Sequence, residues 1–205
     1  MTEKPDLSQR VIESIKESIS AKERLLASAE TIFAIARVSE VLIDAFRTGH
    51  KVLLFGNGGS AADSQHIAAE FVGRFAFDRP PLPALALSVN TSAVTAIGND
   101  YGFDLVFARQ VEALGARGDV AIGISTSGNS PNVLQGLIAA SKLGLHTVAF
   151  SGGSGGKIKD AADHCLTAPS KETPRIQECH ILMGHVISLL VEQEIFHEQS
   201  RVSRS

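Results

Sequence analysis

The sequence predicts an α/β fold: a three-layer, doubly wound sandwich on a mostly parallel five-stranded sheet, flavodoxin- or Rossmann-like, preceded by helices. Two observations carry that prediction. Short runs that are apolar throughout, such as Val52-Leu53-Leu54-Phe55 and Val120-Ala121-Ile122-Gly123-Ile124, suit strands covered on both faces. These runs alternate with longer stretches of helical periodicity, the rhythm that places helices on both sides of a parallel sheet.

Taken in order, residues from about 7 to 49 read as two helices. Val11, Ile12, Ile15 and Ile19, then Ile32, Ile35, Val38, Val41, Leu42 and Phe46, recur at helical spacing. Pro5 precedes this region, Gly49 ends it, and the break falls within residues 20–28. Two helices ahead of any strand exceed what a minimal nucleotide fold needs. They are expected to pack on a neighbouring subunit or to cap the sheet. Strands are expected at 51–55, 84–88, 120–124, 147–150 and 165–167. A last helix is expected over 174–197, with Thr173 as N-cap and Pro174 in the first helical position. The chain thus divides into a helical extension (1–49), an α/β domain (50–197) and a polar tail (198–205).

Composition removes several function classes. The net charge of −3 is wrong for a general binder of nucleic acid or anionic membrane, which needs clustered Lys and Arg. Two cysteines, Cys165 and Cys179, make neither a disulfide framework nor a Cys-rich zinc site. The start, Met1-Thr2-Glu3-Lys4-Pro5-Asp6, lacks the apolar stretch of a signal peptide, and no apolar run approaches the ~20 residues of a membrane span. The expectation is a cytoplasmic protein without membrane or nucleic-acid partners. Its 205 residues suffice for a core without staples, and its 18 glycines hint at loops with a task.

In open parallel sheets the ligand lies at the carboxyl ends of the strands. The first strand runs into Gly56-Asn57-Gly58-Gly59-Ser60-Ala61-Ala62-Asp63, where glycines let backbone approach a ligand closely and Ser60 and Asp63 have the spacing of a capping pair. Free N–H groups at such a helix start suit an anion. Two other readings remain: a tight turn, or a dinucleotide fingerprint on Gly56, Gly58 and Ala61. The latter lacks the carboxylate it needs, because the next strand runs into Leu87-Ser88-Val89-Asn90. Behind the loop, His66 and Glu70 are i and i+4 on one helix face, which allows either a shared metal or an ordinary surface pair.

The third strand leads into Ser125-Thr126-Ser127-Gly128-Asn129-Ser130-Pro131-Asn132. Ser130 then Pro131 reads as N-cap and first helical position. Hydroxyls and unsatisfied N–H groups converge there, a cradle for phosphate that needs no fixed cation. A further stretch, Ser151-Gly152-Gly153-Ser154-Gly155-Gly156, reads as a flexible loop that could also touch ligand.

Four segments together carry a family resemblance: 56–66, Asn99-Asp100-Tyr101-Gly102, 125–130, and Thr173-Pro174-Arg175-Ile176-Gln177-Glu178. In this order they resemble the phosphoheptose isomerases of the sugar isomerase (SIS) domain superfamily, over nearly the whole chain. The resemblance implies interconversion of D-sedoheptulose 7-phosphate and D-glycero-D-manno-heptose 7-phosphate through an enediol, the start of activated-heptose synthesis. It implies one Zn2+ per site on His66, Glu70, Gln177 and His185, and an acid–base pair of Glu70 and His185. Substrate contacts would fall on Asn57, Gly58, Gly59, Ser60, Glu70, Asn99, Asp100, Ser125, Thr126, Ser127, Ser130 and Gln177. Moving a proton between adjacent carbons needs a base at carbon and an acid, metal or dipole at oxygen, which these residue types supply.

Gln177 and His185 are eight residues apart, so on one helix their Cα atoms lie ~12 Å apart along the axis. That distance predicts sites built from more than one chain, and the family suggests a homotetramer. His164, His180, Cys165 and Cys179 read as structural, and Arg175 as a residue that reaches phosphate or a neighbouring carboxylate. The rival readings are a non-catalytic relative that binds the replication initiator DnaA, or an isomerase of another sugar phosphate. The initiator-binding relative lacks the helix glutamate and the second histidine, whereas this chain has Glu70 and His185.

Overall fold

The computed structural model describes residues 6–196; the charged start at 1–5, the expected end of the last helix at His197 and the polar tail at 198–205 lie outside them. Strands β1 (Val52–Gly56), β2 (Ala84–Ala86), β3 (Val120–Ile124), β4 (His146–Gly152) and β5 (His164–Ala168) form one sheet. Its order is β2-β1-β3-β4-β5, and every pairing is parallel. The register pairs Val52 with Val120 and Val120 with His146, which aligns the carboxyl ends of β1, β3 and β4 along one edge.

The helices are α1 (Leu7–Ala27), α2 (Ala29–Arg47), α3 (Gly59–Val72), α4 (Thr91–Tyr101), α5 (Ala108–Leu114), α6 (Pro131–Leu143), α7 (Gly156–Lys159) and α8 (Thr173–Ile195). The pleat of each central strand divides its side chains between two cores. Val52 and Leu54 of β1, with Val120 and Ile122 of β3, face Leu42 of α2, Phe71 of α3 and Met183 of α8. Leu53, Phe55 and Ala121 face Val111 of α5 and Val133 and Leu137 of α6. This is the expected three-layer sandwich, and the all-apolar strand runs are its direct cause.

The break between the first helices is at Ser28, whose Oγ accepts from the Thr31 amide at 3.2 Å. The two helices do different things. α2 buries Ile35, Val38, Leu42 and Phe46 in the core, whereas α1 leaves Val11, Ile12, Ile15 and Ile19 about half exposed. β2 is shorter than its apolar run, because an edge strand is held from one side only. Two caps are not those expected. α8 begins at Thr173 with Glu172 as N-cap, one residue early, so Pro174 sits in the second position. α3 is capped by Gly58, with φ of 54°, so Ser60 lies inside the helix, buried against Gly56, and forms no capping pair with Asp63. The glycine-rich loop lets the helix start two residues earlier than a Ser60 cap would.

Candidate active site

α3 and α8 both start at the carboxyl edge of the sheet and lie side by side in the same direction. Gln177 of α8 stands over Gly59 at the head of α3, leaving no room there for a Cβ. Two turns further on, Gly184 lies against Ile67, where a Cβ would come within 2.8 Å of Ile67 Cγ1. The missing side chains let the two helices approach closely, and that brings His185 to His66.

The result is a cluster on two helices. His66 Nε2 lies 2.8 Å from His185 Nε2 and 3.2 Å from Glu70 Oε1. Ligand atoms from all three residues lie within 4.8 Å of one another. His66 is half exposed and Glu70 more covered, so the cluster is open on one side. Two imidazole nitrogens and a carboxylate oxygen, converging with an open side, are a donor set that fits a zinc-type cation. Phe75 covers His185 from behind, with ring centroids 5.6 Å apart.

The second half of the site is the loop after β3. Ser125 continues the strand ladder through its amide to the Phe150 carbonyl, and its Oγ lies 2.9 Å from Ser130 Oγ and 3.5 Å from Ser127 Oγ. Ser130 is the N-cap of α6, as expected, but its hydroxyl pairs with Ser125 and does not cap the helix. Gly128 takes a φ of 67° and packs on Gly155, which any Cβ would prevent. The 151–156 stretch therefore packs against the serine loop at Gly155 and Gly156. Just beyond it Ile158 N donates to Gly128 O at 3.0 Å, and within it Ser151 Oγ donates to Gly155 O at 2.9 Å. A cavity of about 720 Å3 opens here, walled by Thr126, Ser127, Gly152, Gly153, Lys171 and Ile176. Lys171, which no motif marked, brings a cation to that wall.

The two loops are joined by a reciprocal amide pair. Asn57 Nδ2 donates to Asn132 Oδ1 at 2.8 Å, and Asn132 Nδ2 returns a bond to Asn57 Oδ1 at 2.9 Å. Asn132 is buried, and its Oδ1 also accepts the Val133 amide at 2.9 Å. Gly58, Gly59 and Ser60 lead from this pair into α3.

Not every expected site residue joins these groups within one chain. Gln177 reaches Gly59, seven residues ahead of His66 and hence about 10 Å along α3. Asn99 and Asp100 lie exposed at the end of α4 and bond to each other at 2.7 Å. Asp100 lines a cavity with Ile97, Tyr101 and Arg109, on the α4–α5 side. Arg175 meets carboxylates and a carbonyl, not an anion site: its guanidinium contacts Glu178 and donates to Ser14 O at 2.6 Å. His180 is structural, wholly buried with Nε2 2.9 Å from Ser151 O, and burial pushes its pKa down to about 4.

Two residues, Arg79 and Glu192, escaped the sequence reading, and a third, Asp63, was read only as a capping partner. Asp63, on α3 one turn before His66, has a pKa raised to about 6 by burial, with the charge of His66 opposing. Arg79 and Glu192 form an ion pair with both side chains about 1% exposed. Neither belongs to a motif, and their 113-residue separation leaves no local signal.

Known proteins resemble this chain over most of its length. A family model described as the SIS domain matches residues 10–152. A phosphoheptose isomerase of Clostridium acetobutylicum is 54% identical over 90% of this chain and 94% of its own. One of Aquifex aeolicus is 59% identical over 78% of this chain and 84% of its own. The solved phosphoheptose isomerase GmhA of Neisseria gonorrhoeae, 43% identical, superposes with a TM-score of 0.86 over 92% of this chain and all of that one. With the His66–Glu70–His185 cluster between α3 and α8, and the serine loop at the carboxyl edge of the sheet, the chain belongs to the phosphoheptose isomerase family of SIS-domain enzymes.

Proposed function

We propose that this enzyme interconverts D-sedoheptulose 7-phosphate and D-glycero-D-manno-heptose 7-phosphate through an enediol, in the cytoplasm, as a homotetramer. The observation that carries the reading is the convergence of His66, Glu70 and His185 on two neighbouring helices, in a chain that also has a hydroxyl-lined cavity at its serine loop. A carboxylate and an imidazole within reach of each other are what a proton shift between adjacent carbons requires.

The phosphate is held by Ser125, Thr126, Ser127 and Ser130 and by the first-turn amides of α6, with Gly58 and Gly59 lining the approach from α3. The hydroxyls of Ser125 and Ser130 exchange their mutual bond for phosphate oxygens at little net cost. Glu70 takes the proton from one carbon and returns it to the next. His185 handles the proton of the neighbouring oxygen; the reverse assignment uses the same two groups. His66, Glu70 and His185 are the residues that would hold zinc, which would polarise the sugar oxygens when bound. Gln177, which stands over Gly59 in the single chain, would join them only from a different placement, as in an assembly of several copies.

Two features support an assembly of several copies. The apolar stripe of α1, from Val11 to Ile19, faces outward with no partner in the described chain. α4, which carries Asn99 and Asp100, buries none of its residues. Among the described residues no helix is long and apolar enough to cross a membrane. The test is direct: purified protein is given sedoheptulose 7-phosphate, with and without chelator, and the aldoheptose phosphate is sought. Formation of product supports the reading; no product under either condition overturns it.

A further inference from the structure

The chain between α3 and β2 holds an arrangement that no motif and no part of the reaction has used. Arg79 and Glu192 are buried together, with Arg79 Nε donating to Glu192 Oε2 at 2.9 Å. A buried ion pair rarely adds stability over well-packed apolar residues, so what this one holds in place is the better question.

On one side it holds the end of α3. The last carbonyls of a helix lack partners within it. Arg79 supplies them: Nη2 donates to Glu70 O at 2.7 Å, and Nη1 to Phe71 O at 2.7 Å and Gly73 O at 3.1 Å. A cation there also opposes the negative end of the helix dipole. The backbone that carries the Glu70 carboxylate is thus pinned by the guanidinium.

On the other side it holds α8 against the same loop. Glu192 follows His185 by seven residues, two turns along the same helix face. Its carboxylate accepts the amides of Phe75 at 2.8 Å and Ala76 at 2.6 Å. The Phe75 ring then rests on the His185 imidazole. One continuous set of bonds therefore runs from the Glu70 backbone through Arg79 and Glu192 to the ring that backs His185.

We infer that Arg79 and Glu192 are a positioning pair that sets the spacing between Glu70 and His185. This rests on the reading of those two groups as the reacting pair.

The decisive variant is the double substitution Arg79→Met/Glu192→Met, which removes both charges at similar side-chain length, so that neither stays buried alone. Arg79→Lys is the second variant: its single ammonium keeps the charge but cannot span Glu192 and the Glu70 carbonyl together. Folding is read by circular dichroism, turnover with sedoheptulose 7-phosphate, and geometry by the visible absorption of added Co2+. In the folded variant kcat should fall by roughly a hundredfold, the scale of a 1 Å misplacement, while KM stays within about threefold. The Co2+ affinity should fall by about tenfold or more, with a changed spectrum. A folded variant with unaltered kcat and Co2+ spectrum overturns the inference. Failure of both variants to fold also overturns it, since the pair is then purely structural. If the unmodified enzyme turns over no sedoheptulose 7-phosphate, the substrate reading fails, while the Co2+ spectrum still decides the positioning role.

Discussion

His66 and His185 are 119 residues apart in the chain, yet their Nε2 atoms lie 2.8 Å apart. That juxtaposition depends on the side-by-side approach of α3 and α8 at Gly184, and the chemistry of the site follows from it.

Glu70→Gln keeps size and polarity but removes the base. We expect turnover to fall by roughly 10²–10⁴-fold, the usual contribution of a positioned general base. Thermal unfolding should stay within a few degrees of the parent, because Glu70 is part exposed and its backbone bond to Arg79 is retained. Substrate binding, followed by calorimetry, should persist. Near-normal turnover would remove Glu70 from the acid–base role.

The serine cradle should act on binding more than on chemistry. Ser125→Ala or Ser130→Ala removes one hydroxyl and strands its 2.9 Å partner. About 1 kcal/mol per lost hydrogen bond predicts a rise in KM of roughly fivefold, with a smaller change in kcat. Steady-state kinetics on sedoheptulose 7-phosphate checks this, and a fall in kcat alone would contradict it.

Metal dependence should follow the ligand cluster. Dialysis against a chelator should abolish turnover, and added Zn2+ should restore it. His66→Ala should lower the zinc content measured by atomic emission while the fold stays intact, since His66 is half exposed. Full zinc content in that variant would exclude His66 as a ligand.

The α1 stripe offers a test of assembly. Ile12→Asp/Ile19→Asp changes side chains that are 46% and 50% exposed in the single chain. It should therefore leave an isolated protomer folded. In a tetramer each isoleucine buried at the interface would be worth roughly 1.5–3 kcal/mol, so the double change should reduce the mass seen by light scattering. An unchanged mass would take this face out of the interface.

His180 makes stability depend on pH. Burial lowers its pKa from 6.5 to about 4, so the folded state disfavours the charged form. Its contribution is complete above the unfolded pKa of 6.5 and is lost as pH falls from there to about 4. The loss should reach about 3 kcal/mol at most, at 1.36 kcal/mol per unit. His180→Gln keeps a donor for Ser151 O without the titration. Urea unfolding at pH 7 and pH 4.5 should show a smaller pH effect in the variant than in the parent.

Much of this molecule is legible in its sequence, for local reasons. All-apolar runs identified the central strands β1 and β3, since a strand covered on both faces needs every side chain apolar, and shorter, more mixed runs marked the others. The serine loop was legible because its residues are consecutive and Ser-Pro marks a helix start. The cap of α3 was misplaced because Gly58 can take the positive φ that a Ser60 cap would not need. The outward stripe of α1 was visible as periodicity, but periodicity does not say which surface it meets.

The sequence by itself thus determined the layer order, the glycine and serine loops at the strand ends, the His66–Glu70 helix face and the family. Each rests on spacing within a few turns or a single strand. That His185 meets His66 was implied by the family resemblance alone, and the tertiary structure gives its physical basis. Only that structure decided that Asn132 ties the two loops together and that Arg79 and Glu192 share a buried pocket behind Glu70. It also left Asn99 and Asp100 away from the other site residues in the single chain. The physical reason is that such contacts join residues about 75 to 119 positions apart. They arise from how helices pack across a sheet, which no local pattern of residues encodes.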